Sequence, residues 1–173
     1  ARYLCGDSFA PSNSPSTEGD LVLTVREPLG VALAIIPFNF PVGTFCTKAW
    51  PALLMGNAVI AKLPSDDPLA ITRVVELMLE SGVPGNALQT ITGSGSVLGK
   101  WLNNDERIDA VSMTGSTPVG AEIGAAAGRN IASCTLELGG NDPLIILPDA
   151  DMDRAVKESI NNRNKRSGQI CHS

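Results

Sequence analysis

The feature that most constrains this chain is a series of short runs with no polar side. "VALAII" (31–36) is apolar at every position and is bounded by Gly30 and Pro37. A strand of that kind must be covered on both faces, which is the condition of a parallel sheet sandwiched between helices. "AVIAK" (58–62) predicts a second buried strand, and "LQTI" (88–91), "AVSMT" (110–114), "SCTLEL" (133–138) and "PLIIL" (143–147) predict more. Helices are predicted at 43–55, about 96–103, 116–127 and 151–162. Another starts at Asp67-Pro68, a cap with proline in the first turn. It places Ile71, Val74, Val75 and Met78 on one face and Arg73, Glu76 and Glu80 opposite, before "SGVPGN" (81–86) stops it. This alternation predicts an α/β protein with a doubly wound parallel sheet that takes ligands at the carboxyl ends of its strands. Ahead of it, 10–20 read as a loop or hairpin connection and "LVLTV" (21–25) as an exposed strand.

Several partner classes are excluded as expectations. The net charge is −5 without a long basic stripe, which argues against nucleic acid. The one basic cluster, Arg163-Asn164-Lys165-Arg166, reads as a solvated helix end. No apolar run approaches the ~20 residues of a membrane span, since "VALAIIPF" is cut by Pro37 and then Asn39. Cys5, Cys46, Cys134 and Cys171 lie far apart, with no CxxC pair and a single histidine, so no metal site is expected. Without a secretory signal, reduced thiols and a cytoplasmic location are expected.

Two glycine-rich turns follow strands and open helices. "TGSGSVLG" (92–99) spaces Gly93, Gly95 and Gly99 as GxGxxxG, one residue longer than the usual dinucleotide fingerprint. It reads equally as a tight turn that needs positive φ. In "MTGSTPVG" (113–120), Gly115 and Ser116 precede a helix whose positive end suits a pyrophosphate. Three further groups stand out. Asn39 in "PFNFP" is either a structural amide or one aimed at developing negative charge. Glu137 in "LELGG" is either an exposed strand-end carboxylate or a half-buried one with a raised pKa, as a general base needs. Cys171 in "SGQIC" is either a small apolar filler or a thiolate nucleophile.

Taken in order, "PFNFP", "AKLPSDDPLA", "MTGSTPVG", "LELGGNDP" and "SGQIC", with a 34-residue step from Glu137 to Cys171, resemble the aldehyde dehydrogenase superfamily along essentially the whole chain. The resemblance implies a Rossmann-like fold and oxidation of a small aldehyde to a carboxylic acid with NAD or NADP. It makes Cys171 the nucleophile that forms a thiohemiacetal and then a thioester. Asn39 and the Cys171 N–H become the oxyanion donors, and Glu137 the base that activates the hydrolytic water. A retained Glu137 argues against the acylating, coenzyme A-dependent branch. Lys62 matches the lysine at the adenosine ribose; Gly95, Gly99, Gly115, Ser116 and Gly139 fall in the cofactor-binding turns. Where NAD-preferring members carry a glutamate this chain has Ser65, so NADP is expected to be accepted.

The same resemblance assigns 1–28 to an N-terminal segment with an oligomerisation hairpin, 29–140 to part of the cofactor domain, and 141–173 to the start of the catalytic domain. It thus implies a fragment of a homo-oligomeric enzyme, or else an inactive nucleotide-binding remnant. One stretch departs from the family. "ESINNRNKRSGQIC" is without an apolar residue between Ile160 and Ile170, and Arg166 stands where Asn is common. Three cations packed there would be costly to bury, so either the helix is altered or Lys165 and Arg166 act on the thiol.

Overall fold

A computed structural model of the chain describes residues 26–171. The hairpin and strand expected before residue 26, Cys5 and His172 lie outside the described residues. Five strands, β1 (Val31–Ile35), β2 (Ala58–Lys62), β3 (Leu88–Ile91), β4 (Ala110–Thr114) and β5 (Ser133–Glu137), form one sheet in the order β3-β2-β1-β4-β5. All pairs are parallel, with Leu33 of β1 opposite both Ile60 and Val111. The helices are α1 (Pro41–Leu54), α2 (Leu69–Glu80), α3 (Gly95–Leu102), α4 (Thr117–Arg129) and α5 (Met152–Asn164). The α/β, doubly wound Rossmann-like sheet expected from the sequence is therefore present.

Strand periodicity divides the core in two. On one face Ala34, Ile36, Val59, Ala61 and Leu63 pack with Phe45 and Ala49 of α1 and with Ile71 and Val75 of α2. On the other, Leu33, Val111 and Met113 pack with Ile123 of α4 and, at the edge, Leu102, Leu136 and Leu138. The apolar face predicted for α2 is the one used: Val74 and Met78 join Ile71 and Val75 against the core.

Three expectations are corrected. Residues 143–147 form no strand; no other described strand pairs with them, and Ile145 is 79% exposed. Apolar composition alone does not supply a ladder partner. The first helix starts at Pro41 rather than 43, because proline at the first position fixes a helical φ and has no N–H to leave unpaired. Asp67 does not cap α2. Pro68 occupies the cap position and no side chain accepts from the first turn.

Phe45 is fully buried beneath β1 and β2. Phe45→Ala is expected to cost about 3–5 kcal/mol of unfolding free energy, read as a lower urea midpoint with an unchanged slope.

Candidate active site at the switch point of the sheet

Strand order reverses between β1 and β4, so the connections after these strands diverge and leave a crevice at their carboxyl ends. A cavity of about 530 Å³ occupies that place. Its walls come from the segment after β1 (Pro37 to Phe40), the turn after β4 (Thr114, Gly115, Ser116), the end of β5 (Leu138, Gly139, Gly140) and the segment Gly168 to Cys171. Four elements distant in sequence thus bring Asn39, Gly115, Ser116, Gly139 and Cys171 together.

Two contacts hold the cysteine segment against the sheet ends. The Asn39 Nδ2 donates to the Gln169 carbonyl at 2.7 Å, two residues before Cys171. One N–H of that amide is therefore structural, and the second is left for another acceptor. On the other side, a Cβ on Gly140 would lie 2.6 Å from the Cys171 carbonyl oxygen. Only glycine allows these two backbones to approach so closely. Ile170, beside the cysteine, is buried, while Cys171 itself is exposed.

Glu137 differs from the expectation of a half-buried base. Its side chain is exposed, because β5 is an edge strand, and it is absent from the cavity lining. Its backbone is fixed, since the Gly115 N–H donates to the Glu137 carbonyl at 3.0 Å. The charge of the carboxylate also acts on a lysine that sequence reasoning missed. Lys48 of α1 is half-buried, and its Nζ donates to Ser112 Oγ at 2.8 Å. Burial pushes the Lys48 pKa down, and the negative charge of Glu137 acts against that shift. The available signal was that Lys48 is the one charged residue in the otherwise uncharged segment 41–54.

The remaining expected residues form a second group at the ends of β2 and β3. Lys62 closes β2, half-buried, with its pKa lowered by desolvation and opposed by Asp66. Ser65 Oγ donates to the Gly93 carbonyl at 2.9 Å, tying together the loops that follow the two strands. Gly93 has φ 142°, so the turn does need a glycine there, while Gly95 and Gly99 lie within α3. Ser94 and Ser116 stand at the N-cap positions of α3 and α4, yet neither side chain caps its helix. The first-turn N–H groups of both helices keep their capacity for an anion. Hydroxyls, helix N-termini and one cation are the donor set that a dinucleotide requires, and no described residues form a group able to hold a metal.

The basic segment is not buried. The helix α5 ends at Asn164, and Arg163, Lys165 and Arg166 are exposed. Arg166 (φ 50°), Ser167 (φ 58°) and Gly168 (φ 75°) then take left-handed conformations in succession, costing about 1 kcal/mol or more for each non-glycine residue. The Arg166 guanidinium lies over the Phe40 ring, 4.0 Å from its centroid, a contact worth about 0.5–1 kcal/mol at an exposed site.

Comparison with known proteins agrees with this architecture. A sequence profile described as "Aldehyde dehydrogenase family" matches residues 3–173. The chain is 41% identical over 170 residues to an NADP-dependent glyceraldehyde-3-phosphate dehydrogenase of Streptococcus equinus, covering 98% of this chain and 34% of that protein. It is 40% identical over 152 residues to a betaine aldehyde dehydrogenase of Cereibacter sphaeroides, covering 88% of this chain and 31% of the relative. An aldehyde dehydrogenase from Brucella melitensis biovar abortus superposes with TM-score 0.85 at 35% identity, over 98% of this chain and 34% of that one. The chain spans about a third of the length of these relatives.

Gly140→Ala is expected to displace the Cys171 backbone. Hydrogen exchange of the amides from Gly168 to Cys171 should accelerate at least severalfold, with the strand amides of β1 unchanged.

Proposed function

The chain belongs to the aldehyde dehydrogenase family, and on that premise we propose that it carries the nucleophile and the cofactor-facing part of an enzyme oxidising an aldehyde to a carboxylic acid with NAD(P)+. The observation that carries this reading is the meeting of Asn39 and Cys171 with the Gly115-Ser116 turn around one cavity at the switch point.

In the proposed sequence the Cys171 thiolate attacks the aldehyde carbon, forming a C–S bond as the carbonyl electron pair moves to oxygen. The second Asn39 N–H and the Cys171 N–H stabilise that oxyanion, about 3–4 kcal/mol per donor in comparable sites. When bound, a nicotinamide nucleotide supplies the acceptor for the hydride, and Cys171 is left as a thioester. Glu137 takes a proton from the water that attacks the thioester, the C–S bond breaks, and the carboxylic acid departs from the regenerated thiolate. The charge of Glu137 in turn acts on half-buried Lys48, opposing the fall of its pKa by burial. The exposed edge position of Glu137 means that its side chain must swing toward the cysteine for this step.

Ser116 and the uncapped N-termini of α3 and α4 would hold the pyrophosphate, and Lys62 the adenosine ribose. Support for NADP comes from the missing carboxylate at Ser65, since a glutamate there would repel a 2′-phosphate. The Ser65 hydroxyl already donates to Gly93, so it must rotate away to donate to that phosphate. Asp66, whose charge acts on Lys62, works against NADP.

In the protein together with the rest of its polypeptide, NADP+ should support turnover with kcat/KM within a hundredfold of NAD+, and Asp66→Asn should move the ratio further toward NADP+. A hundredfold preference for NAD+ would reject the assignment of Ser65. Glu137→Gln should leave a burst of one reduced cofactor per site and slow the steady state by about 10²–10⁴, whereas Cys171→Ala should abolish the burst. For the 173-residue chain, iodoacetamide with NADP+ is expected to alkylate Cys171 selectively, as located by mass spectrometry. Labelling of Cys134 and Cys46 at the same rate supports instead a nucleotide-binding remnant.

A further inference from the structure

We propose that Arg166 is a positioning residue for the oxyanion site: its stack on Phe40 closes a clamp that sets the Asn39 amide against the backbone carrying Cys171. This rests on the reading of Cys171 as the nucleophile and of Asn39 as an oxyanion donor.

The clamp is a closed ring of contacts. The Asn39 Nδ2 donates to the Gln169 carbonyl at 2.7 Å. The Gln169 N–H donates to the Arg166 carbonyl at 3.1 Å. The Arg166 guanidinium lies 4.0 Å from the centroid of the Phe40 ring, and Phe40 follows Asn39 in the chain. One arm of the clamp is thus the segment after β1, and the other is the turn that leads to the cysteine. The first arm is fixed from beyond the ring. Phe40 stands at the N-cap of α1, and its carbonyl accepts from the Thr44 N–H at 3.0 Å.

The two proposed oxyanion donors sit on opposite arms. The second N–H of Asn39 belongs to the arm after β1, and the Cys171 N–H lies two residues past Gln169. A lone hydrogen bond between the arms would set their separation and leave them free to rotate about it. A further contact at the next residue removes that rotation. Oxyanion stabilisation needs both donors aimed at one point, so the relative setting of the arms bears directly on the attack step. Arg166 is exposed and is absent from the cavity walls. It therefore acts through Phe40 and Asn39, without touching substrate.

The backbone at this corner fits the same reading. Arg166 holds φ 50°, a conformation that asparagine adopts with less strain than arginine. An asparagine there would carry no cation to lay on a ring. The chain thus has the more strained residue at the position from which a guanidinium reaches Phe40.

The test uses the protein together with the rest of its polypeptide, in a Glu137→Gln background that stops at the thioester. The burst of reduced cofactor then reports the steps through which the oxyanion passes. Arg166→Asn suits the left-handed turn and removes the cation. It should slow the burst at saturating aldehyde by about two- to fivefold, which is what an exposed cation–π contact can supply. The half-saturating aldehyde concentration should change by less than about twofold, because the oxyanion exists only after attack. Arg166→Lys restores a cation and should recover at least about half of the lost rate. With Phe40→Leu already present, Arg166→Asn should have no further effect, since its partner is gone. A burst rate unchanged by Arg166→Asn overturns the proposal. So does an equal slowing in the Phe40→Leu background, a change confined to the half-saturating concentration, or Arg166→Lys no faster than Arg166→Asn. A protein with no burst that depends on Cys171 loses the nucleophile reading itself, and the proposal with it.

Discussion

The site depends on the central position of β1. This strand pairs with β2 on one side and β4 on the other, so its neighbours lead into connections that run in opposite directions. The crevice follows from that topology rather than from any one side chain. Burial of Leu33 on one face and Ala34 on the other makes β1 the least free element of the sheet. Asn39 is carried four residues past its end, and the precision of that amide is inherited from the strand.

The two sides of the cavity are held by different physics. The turns after β1, β4 and β5 hang from a continuous hydrogen-bonded ladder, in which even the Glu137 carbonyl is tied to the Gly115 N–H. The cysteine segment has no ladder. Its described anchors are the Asn39 amide on Gln169, the buried Ile170 side chain, the close passage over Gly140 and the Arg166 stack on Phe40. Each anchor is worth about a kilocalorie or a few, so the described fastening of the Cys171 segment is a set of separate contacts rather than a ladder.

Most strands were legible as short runs between turn signals: 31–35 and 58–62 from nearly continuous apolar patterning, and 88–91, 110–114 and 133–137 from mixed runs, of which the first and last lie at the sheet edges. The same patterning misled at 143–147, where an equally apolar run has no described neighbour. Composition reports that a segment wants cover, and topology decides whether it receives a ladder. The site was legible to a different degree. Asn39, Gly115, Ser116 and Cys171 were singled out from motifs and their resemblance to a family, and all four line one cavity. Of the two readings of Glu137, the structure has the exposed strand-end carboxylate, because β5 lies at the edge of the described sheet. Lys48 was missed because its role depends on Ser112 and Glu137, 64 and 89 residues away in sequence.

The basic stretch before Cys171 shows how one departure from a family pattern can be absorbed. Burying three cations would be ruinous, and the fold avoids it by ending α5 at Asn164 and exposing all three. The chain must then turn sharply to reach Gln169, and the left-handed run at Arg166 and Ser167 is the turn. A strained arginine at such a corner needs a compensating contact, which the Phe40 ring supplies. That ring is adjacent to Asn39, so the cost of the turn is offset by a contact that also braces the segment after β1. The basic turn and the segment after β1 are consequently coupled through one aromatic residue, and a change at position 166 should be felt at Phe40 and Asn39.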